Sequence, residues 1–153
     1  RWEGELRVAS RNLELKVNDE NRDNTLVKMA LAVGDKIKDG FALQGEVWGE
    51  GIQGNKEKIK GQRFSVFDIF DINAHEYLSP ARRRQLCYDL DIVHVPVIDS
   101  HASAPASVEE GLAIASGPSI HAAHREGVVY KCNENPSFSF KIINNDWLVH
   151  YKE

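Results

Sequence analysis

Apolar and polar residues alternate along several stretches of the chain, and this period of two predicts β-strands. The strongest stretches are "FALQGEVWG" (41–49) and "RFSVFDIFDI" (63–72), which are rich in aromatic and β-branched residues. Weaker patterns predict further strands at 4–16 (two short strands or one bent strand), 92–99, 125–131, 138–143 and 147–152. Loops rich in glycine, lysine or small polar residues separate several of these segments.

The stretch 125–131, "REGVVYK", does not alternate strictly, and it carries Glu126 near one end and Lys131 at the other. It is either an edge strand with a charge near each end, or a strand that brings a carboxylate and an ammonium group into a functional site. The stretch alone does not decide between these two interpretations.

Three other stretches have apolar residues at helical spacing. Residues 25–37 form a predicted helix that Asp23 or Asn24 can cap, with Leu26, Ala30, Val33 and Ile37 on one face. Ser79-Pro80 has the form of an N-cap followed by proline, which predicts a helix from Pro80 to Leu90. Ser107 and Glu110 form a capping box that opens a short helix, with Val108, Leu112 and Ala115 on one face.

Strands and helices are mixed along the chain without a regular strand–helix–strand alternation. This order predicts an α+β fold with largely antiparallel sheets. The length of 153 residues corresponds to one domain, and the longest apolar stretch is far shorter than a bilayer-spanning helix requires. We therefore expect a protein with no membrane partner.

The charge and the cysteines narrow the choice of function. A formal net charge of −4 argues against coating of nucleic acid by bulk electrostatics, so any nucleic-acid role must rest on local patches. Cys87 and Cys132 stand apart without the spacing of a zinc or redox motif. Reduced thiols favour a cytoplasmic location.

Two motifs resemble known sites without the context that such sites require. Gly49, Gly51 and Gly54 match the dinucleotide-binding pattern G-x-G-x-x-G, but the sequence that follows does not predict the helix which that site needs. His121 and His124 have the i, i+3 spacing of a metal-binding pair. They lie between Gly117-Pro118 and a strand, so solvent-facing or hydrogen-bonded histidines are the favoured interpretation.

A further group of charged residues lies on strongly apolar strands. Charges in apolar surroundings are costly unless they are paired or functional, and a shared polyphosphate or metal site would provide partners for both signs. The group consists of Arg11, Glu46, Asp68, Glu126, Lys131 and Lys141.

At these residues the sequence resembles the covalent nucleotidyltransferases, the superfamily of ATP-dependent ligases and mRNA capping enzymes. Five segments resemble its motifs in the correct order: "ELRVASRN", "QGEVWGEGIQGN", "FSVFDIFDI", "REGVVYK" and "FKIINNDWLVHYK". Within the superfamily, "GEGIQGN" and "FKIINN" are most similar to RNA ligases of the RNA ligase 2-like, nick-sealing kind. The resemblance implies a nucleotidyltransferase (ATP-grasp-like) fold of largely antiparallel sheets flanked by helices, incomplete at the N-terminus, with residues 1–153 as a partial adenylylation domain.

The resemblance also implies roles for single residues. Arg11 would contact the nucleotide or its phosphate, Glu46 would hold the ribose hydroxyls, and Phe67 would stack on adenine. Glu126 would help to hold Mg²⁺ or Mn²⁺, directly or through water, and Lys141 would neutralise the α-phosphate of ATP. Lys131 would support the same charge, and Asp68 would be structural. The implied partner is RNA with 5′-phosphate and 3′-hydroxyl ends, together with further segments or domains of the same protein.

Two departures from the family pattern affect the chemistry. Many relatives have a second lysine two residues after the first in the last motif, where this chain has Ile143. The chain also lacks the nucleophilic lysine of K-x-D-G or K-x-H-G, and the nearest string is "KIKDG" at 36–40. We expect that lysine to precede residue 1, and we expect the chain alone not to adenylylate itself.

Three alternatives remain open. A DNA ligase domain and an mRNA capping guanylyltransferase domain belong to the same superfamily. From another class, the chain is a nucleotide- or RNA-binding module that has lost its lysine and its catalysis.

Overall fold

The computed structural model describes residues 1–151, and the chain forms two compact units. Unit 1 consists of Arg1–Val47 and Arg63–Val95. Unit 2 consists of Trp48–Gln62 and the chain from Pro96 onward. The architecture is a mixed α+β arrangement in which antiparallel strand pairs occur in both units.

Unit 1 contains two small sheets and two helices. Strands β1 (Val8–Ala9) and β2 (Glu14–Leu15) form an antiparallel hairpin. Helix α1 (Thr25–Gly34) follows, and then the three-stranded sheet of β3 (Phe41–Gly49), β4 (Gln62–Asp71) and β5 (Glu76–Tyr77) in that order, and helix α2 (Pro80–Asp89). The ends of β3 and β4 at 48–49 and 62 belong to unit 2.

The core of unit 1 lies around β4. Val66 and Ile69 are almost completely buried, because the aromatic and β-branched pattern of β4 places these side chains against the neighbouring elements. The other buried members of this cluster are Ile37, Leu78, Cys87 and Ile92. Partly buried side chains of α1, β3 and α2 pack around them.

Unit 2 contains helix α3 (Val108–Ala115), the antiparallel strands β6 (Gly127–Lys131) and β7 (Ser139–Ile143), and helix α4 (Asn145–Tyr151). Gly111 of α3 lies directly against Ile142 of β7, and a Cβ atom at this glycine would be 2.9 Å from Ile142 Cδ1. The loop between β3 and β4 contributes Lys56, whose Nζ lies 4.2 Å from the centre of the Trp147 ring of α4.

Side-chain caps begin the helices where the sequence predicted them. Asn24 accepts hydrogen bonds from the amides of Leu26 and Val27 at the start of α1. Ser79 caps α2 with Pro80 in its first turn, and Ser107 caps α3. Each cap satisfies amide groups that have no partner within the helix.

Two predicted strands are wrong. Residues 145–151 form α4, because Asn144 caps the segment and Trp147 and Tyr151 then lie one turn apart with their rings 5.7 Å apart; Lys152 of the predicted strand lies outside the described residues. The segment 92–99 makes only a parallel bridge between His94 and Val66.

The apolar faces also differ in detail from the predicted ones. The alternation within residues 4–16 predicts that Leu13 faces inward, but Leu13 is exposed because it closes the turn of the hairpin, where its carbonyl accepts a hydrogen bond from the Ser10 amide. Val108 is exposed, whereas Gly111 and Ala115 are the buried positions of α3. Residues 50–54 form turns, so the glycine pattern there does not open a helix.

Candidate functional site

Glu126 and Lys141 form an ion pair in unit 2, with the lysine Nζ donating to Glu126 Oε1. Glu126 immediately precedes β6, and Lys141 lies in the middle of β7. The side chains remain 47% and 44% exposed, so both charges face a surface that a ligand can reach. The structure therefore brings together the two residues for which the sequence predicted catalytic roles.

Lys131 lies on the same face of the β6–β7 pair as Lys141. Residues that pair across an antiparallel ladder share a face, and successive residues alternate between faces. Lys131 pairs with Ser139 and Val129 pairs with Lys141, so both lysines belong to one face. They are diagonal neighbours, with Cα atoms about 7–8 Å apart, a separation that suits two anionic oxygens of a polyphosphate.

The opposite face of this strand pair is apolar and contacts α3. Val128 pairs with Ile142, and the rings of Tyr130 and Phe140 stack with their centres 5.0 Å apart. The close contact between Gly111 and Ile142 places this face against the helix. The packed face fixes the pleat of the strands and thereby the direction of Lys131 and Lys141.

Unit 1 contains a cavity of about 770 Å³ that both Arg11 and Phe67 line. Arg11 is exposed in the turn of the β1–β2 hairpin, and Phe67 is partly buried on β4. Most of the remaining lining residues are apolar, and α1 and β3 contribute Leu26, Met29, Ala30, Val33, Leu43 and Val47 to them. Arg1, Arg7 and Glu14 also line the cavity. A mainly apolar cleft with a cationic group at its wall is suited to a flat heteroaromatic ligand that carries a phosphate.

Glu46 lies on β3 of unit 1 and is exposed. Gly45 beside it has no side chain because a Cβ atom there would lie 2.5 Å from the Phe64 ring and from the carbonyl oxygen of Ser65. This close packing fixes the strand at the position where Glu46 projects.

Most of these charges are not held in apolar surroundings, so the prediction made for them from the sequence is wrong. Arg11, Glu46, Glu126 and Lys141 are exposed. The pleat of β3 and β7 turns Glu46 and Lys141 away from the buried side, whereas Arg11 lies in the hairpin turn and Glu126 lies just before β6. Asp68 alone in this group is buried, and it accepts a hydrogen bond of 3.0 Å from Arg83. The structural role of Asp68 stays a prediction, and this buried ion pair is the contact through which it would act.

His94, which is half-buried, completes a polar group with the buried Asp68 and Arg83. Because a guanidinium group only donates hydrogen bonds, the 3.0 Å contact from Arg83 Nε requires an unprotonated Nε2 on His94. The proton is then on Nδ1, which donates to the carbonyl oxygen of Val95 at 2.6 Å. Burial lowers the pKa of His94, and the positive charges of Arg83 and Arg84 act in the same direction.

Among the described residues, no group of three or more His, Cys, Asp and Glu side chains could hold a metal ion by itself. His121 instead lies 5.8 Å from Trp48, centre to centre, and the rings of His124 and His150 stack. A site with one carboxylate, Glu126, still fits Mg²⁺ or Mn²⁺, since Mg²⁺ commonly binds one or two carboxylates together with substrate phosphates and water. None of the helices within residues 1–151 has the length and apolar composition to cross a bilayer.

Asn144 is a residue of the site that no sequence pattern predicted. This side chain is completely buried between Glu126 and the start of α4. The available signal was the asparagine that directly follows a predicted strand, because asparagine is a frequent helix N-cap. The signal was missed because the following segment was predicted to be a strand.

The sequence of the chain shows the protein family to which these two sites belong. The RNA ligase family model matches residues 1–143, so the chain belongs to the RNA ligase family. No curated protein matches the chain.

Solved structures of Naegleria gruberi RNA ligase are similar to the chain over nearly its whole length. A lysine-to-alanine variant of that enzyme without ligand has a TM-score of 0.88 at 37% identity, covering 99% of this chain and 47% of that one. A second lysine-to-alanine variant, with ATP and Mn, has a TM-score of 0.86 at 36% identity, and the match covers 99% of this chain and 46% of that one. The enzyme with PPi gives 0.85 at 36% identity, with 99% and 47% covered. The chain thus spans about half the length of these relatives and is an RNA ligase domain that is partial relative to them.

Proposed function

We propose that residues 1–153 form the larger part of the adenylylation domain of an ATP-dependent RNA ligase. The observation that carries the proposal is the Glu126–Lys141 pair on an accessible strand pair that also presents Lys131, in a chain of the RNA ligase family. The solved structures of Naegleria gruberi RNA ligase with ATP and Mn support a nucleotide and a divalent cation as ligands.

The proposed reaction consists of three attacks at phosphorus. A lysine displaces pyrophosphate from ATP and becomes lysyl-AMP. The 5′-phosphate of an RNA strand then takes AMP from the lysine, and a 3′-hydroxyl displaces AMP to form the phosphodiester bond. Each step needs correct positioning and neutralisation of charge that develops on phosphate oxygens.

The residues of unit 2 provide the charge neutralisation in this proposal. Lys141 binds an oxygen of the α-phosphate, and its ammonium group stabilises the charge that increases there during attack. Lys131 supplies a second cation on the same face, in place of the lysine that relatives have at the position of Ile143. Glu126 holds Lys141 in position and contributes a ligand, directly or through water, to Mg²⁺ or Mn²⁺. The bound cation would act as a Lewis acid on the phosphate oxygens.

The residues of unit 1 provide nucleotide recognition in this proposal. Phe67 stacks on adenine, a contact worth about 1–3 kcal/mol by analogy with bases on aromatic side chains. Arg11 contacts the nucleotide phosphate, and the Glu46 carboxylate accepts hydrogen bonds from the ribose hydroxyls. The cavity that Arg11 and Phe67 line supports this assignment.

The test is covalent labelling of the complete gene product that contains this sequence, because residues 1–153 include no K-x-D-G or K-x-H-G motif. The protein is incubated with [α-³²P]ATP and Mg²⁺ or Mn²⁺, and label is measured after denaturing electrophoresis. We expect Lys141→Ala to reduce the labelling rate by about 10²–10³-fold, the usual cost of removing one group that stabilises developing charge. Glu126→Gln and Lys131→Ala should also reduce it.

Matched controls remove charges of the same kind elsewhere. Lys28→Ala removes an exposed lysine of α1 whose ion pair is on the surface, and Glu76→Gln neutralises an exposed carboxylate of β5. Both should label like the wild type. Absence of covalent label from the wild-type protein, or label that Lys141→Ala and Glu126→Gln leave unchanged, would contradict the proposed function and favour a binding module.

A further inference from the structure

Asn144 lies where three parts of unit 2 meet: the end of β7, the start of α4 and the segment that precedes β6. Its side chain is completely buried, and it lies between the end of β7 and the first residue of α4. Burial of a primary amide is costly unless its donors and acceptor find partners. The partners of Asn144 therefore show what the residue holds in place.

Four hydrogen bonds connect Asn144 to the segment of Glu126 and to α4, and in one of them the backbone carbonyl of Asn144 accepts from the Leu148 amide at 3.2 Å. The backbone amide of Asn144 donates to the carbonyl oxygen of Glu126 at 2.8 Å. Its side-chain Nδ2 donates to the carbonyl oxygen of Arg125 at 3.0 Å, and its Oδ1 accepts from the amide of Asp146 at 3.0 Å. The two side-chain partners fix the orientation of the amide, since only an acceptor faces one end and only a donor faces the other.

Arg125 fixes the same segment from the other side. Its guanidinium group donates to the carbonyl oxygens of Ala115 at 3.0 Å and of Ser116 at 2.7 Å, at the C-terminal end of α3. Its backbone amide donates to the carbonyl oxygen of Gly117 at 2.9 Å. The two peptide groups that precede β6 are thus held between the end of α3 and Asn144.

We propose that Asn144 is a positioning residue for Glu126, and that it fixes the backbone from which Glu126 reaches Lys141. This role rests on the proposed function, because the position of Glu126 matters for activity only if Glu126 acts at a metal or phosphate site. The donor of Asn144 holds the Arg125 carbonyl, and its acceptor caps α4. These two roles belong to different atoms and are separable by mutation.

Two variants keep the cap and remove the donor. Asn144→Asp has the same shape and retains an oxygen for the Asp146 amide, but it places a second oxygen against the Arg125 carbonyl. Asn144→Ser also caps a helix well but is too short to reach that carbonyl. Asn144→Ser still tests the loss of the donor if the buried carboxylate of Asn144→Asp prevents folding. The matched control is Ser107→Ala, which removes the cap of α3 and leaves the bonds to residues 125 and 126 intact.

The first measurement is amide hydrogen exchange in the complete gene product, which does not depend on ligase activity. We expect both Asn144 variants to accelerate exchange about five- to tenfold at residues 125–128 and 144, the size expected for the loss of one hydrogen bond. Ser107→Ala should accelerate exchange in α3 instead. Faster exchange that is confined to α4 in the Asn144 variants would overturn the proposal, because Asn144 would then be a helix cap only.

The second measurement is the Mg²⁺ concentration that gives half-maximal labelling with [α-³²P]ATP. Removing a residue that orients a metal ligand typically costs about 10- to 100-fold in metal affinity or activity, so both Asn144 variants should require more Mg²⁺. In a Glu126→Gln background the same variants should add little, since their effect passes through Glu126. Full additivity of the two changes would overturn the proposal. A wild-type protein that takes no label contradicts the proposed function, whereas the exchange measurement tests Asn144 independently.

Discussion

At the scale of single residues, the buried guanidinium group of Arg83 makes two hydrogen bonds in unit 1 that compensate for its loss of hydration. Asp68 supplies the opposite charge, and His94 supplies a neutral acceptor. A buried guanidinium group requires partners because loss of hydration is costly. Protonation of His94 would replace its acceptor by an N–H group that points at Arg83, so the arrangement depends on a neutral imidazole.

We expect the stability of the protein to fall when the pH decreases below about 6.5, the pKa of an unperturbed histidine. Because the pKa of His94 is lowered in the folded state, mainly by burial, the unfolded chain binds more protons in this range. The contribution of His94 to the free energy of unfolding is thus fully present above the pKa of His94 in the unfolded chain. It is lost as the pH falls towards the pKa of His94 in the folded protein. One such group contributes a slope of at most about 1.4 kcal/mol per pH unit.

The measurement is urea unfolding of the wild type and of His94→Gln at pH 7.5 and 5.5. Glutamine offers an acceptor without a titrating group, so the variant should show a smaller loss of unfolding free energy between the two pH values. His101→Gln is the control, since this exposed histidine should leave the difference unchanged. An equal pH dependence in the wild type and His94→Gln would contradict the role of His94.

At the scale of elements, β6 begins with a glycine because the two strands approach each other very closely there. A Cβ atom at Gly127 would lie 2.1 Å from the carbonyl oxygen of Ile142. Glu126 directly precedes this point, and its carbonyl oxygen accepts the amide of Asn144. The position of Glu126 therefore depends on a contact that only glycine permits.

Gly127→Ala should destabilise unit 2 by about 1–3 kcal/mol, the usual cost of overpacking, and should reduce labelling with ATP. The control is Gly54→Ala, because Gly54 also has a positive φ but no atom lies within 4 Å of an added Cβ. That variant has only the backbone strain, of roughly 1–2 kcal/mol. Urea unfolding and covalent labelling measure the two effects, and equal results for both variants would show that the contact with Ile142 is unimportant.

The elements that the sequence predicted correctly have strong local signals. Asn24, Ser79 and Ser107 begin their helices as caps, and β3 has the predicted bounds Phe41–Gly49. The wrong predictions concern short segments whose state depends on tertiary contacts. Residues 147–151 contain a run of aromatic and β-branched residues that favours a strand, but the buried cap at Asn144 and the ring of Trp147 under Lys56 stabilise a helix.

The sequence proposes which residues form the candidate site, but it does not specify their geometry. The motif resemblance identified Glu126 and Lys141, and the structure shows that they are in contact. That Lys131 shares a face of the strand pair with Lys141 follows only from the register of β6 and β7. Buried partners such as Arg83 for Asp68, and Asn144 for Glu126, come from residues distant in sequence, and no local pattern specifies them.

At the scale of the whole molecule, 19 basic and 23 acidic residues give the chain a net charge of −4. Non-specific binding along nucleic acid requires many lysine and arginine contacts to phosphates, and this charge does not favour it. Under the proposed function, the contacts of this chain with RNA should therefore be local and lie at the strand ends. The 5′-phosphate and the 2′-hydroxyl of the sugar are the chemical groups that such contacts can distinguish.

We expect the complete gene product to seal a nick in double-stranded RNA, with ATP and Mg²⁺, faster than the same nick in double-stranded DNA. The two matched duplexes carry a 3′-hydroxyl and a 5′-phosphate at the nick, and denaturing electrophoresis measures the joined strand. A third duplex with a 5′-hydroxyl should not be joined, because AMP then has no phosphate to receive it. Faster sealing of DNA would favour the DNA ligase alternative, and covalent label from [α-³²P]GTP in preference to ATP would favour the capping guanylyltransferase.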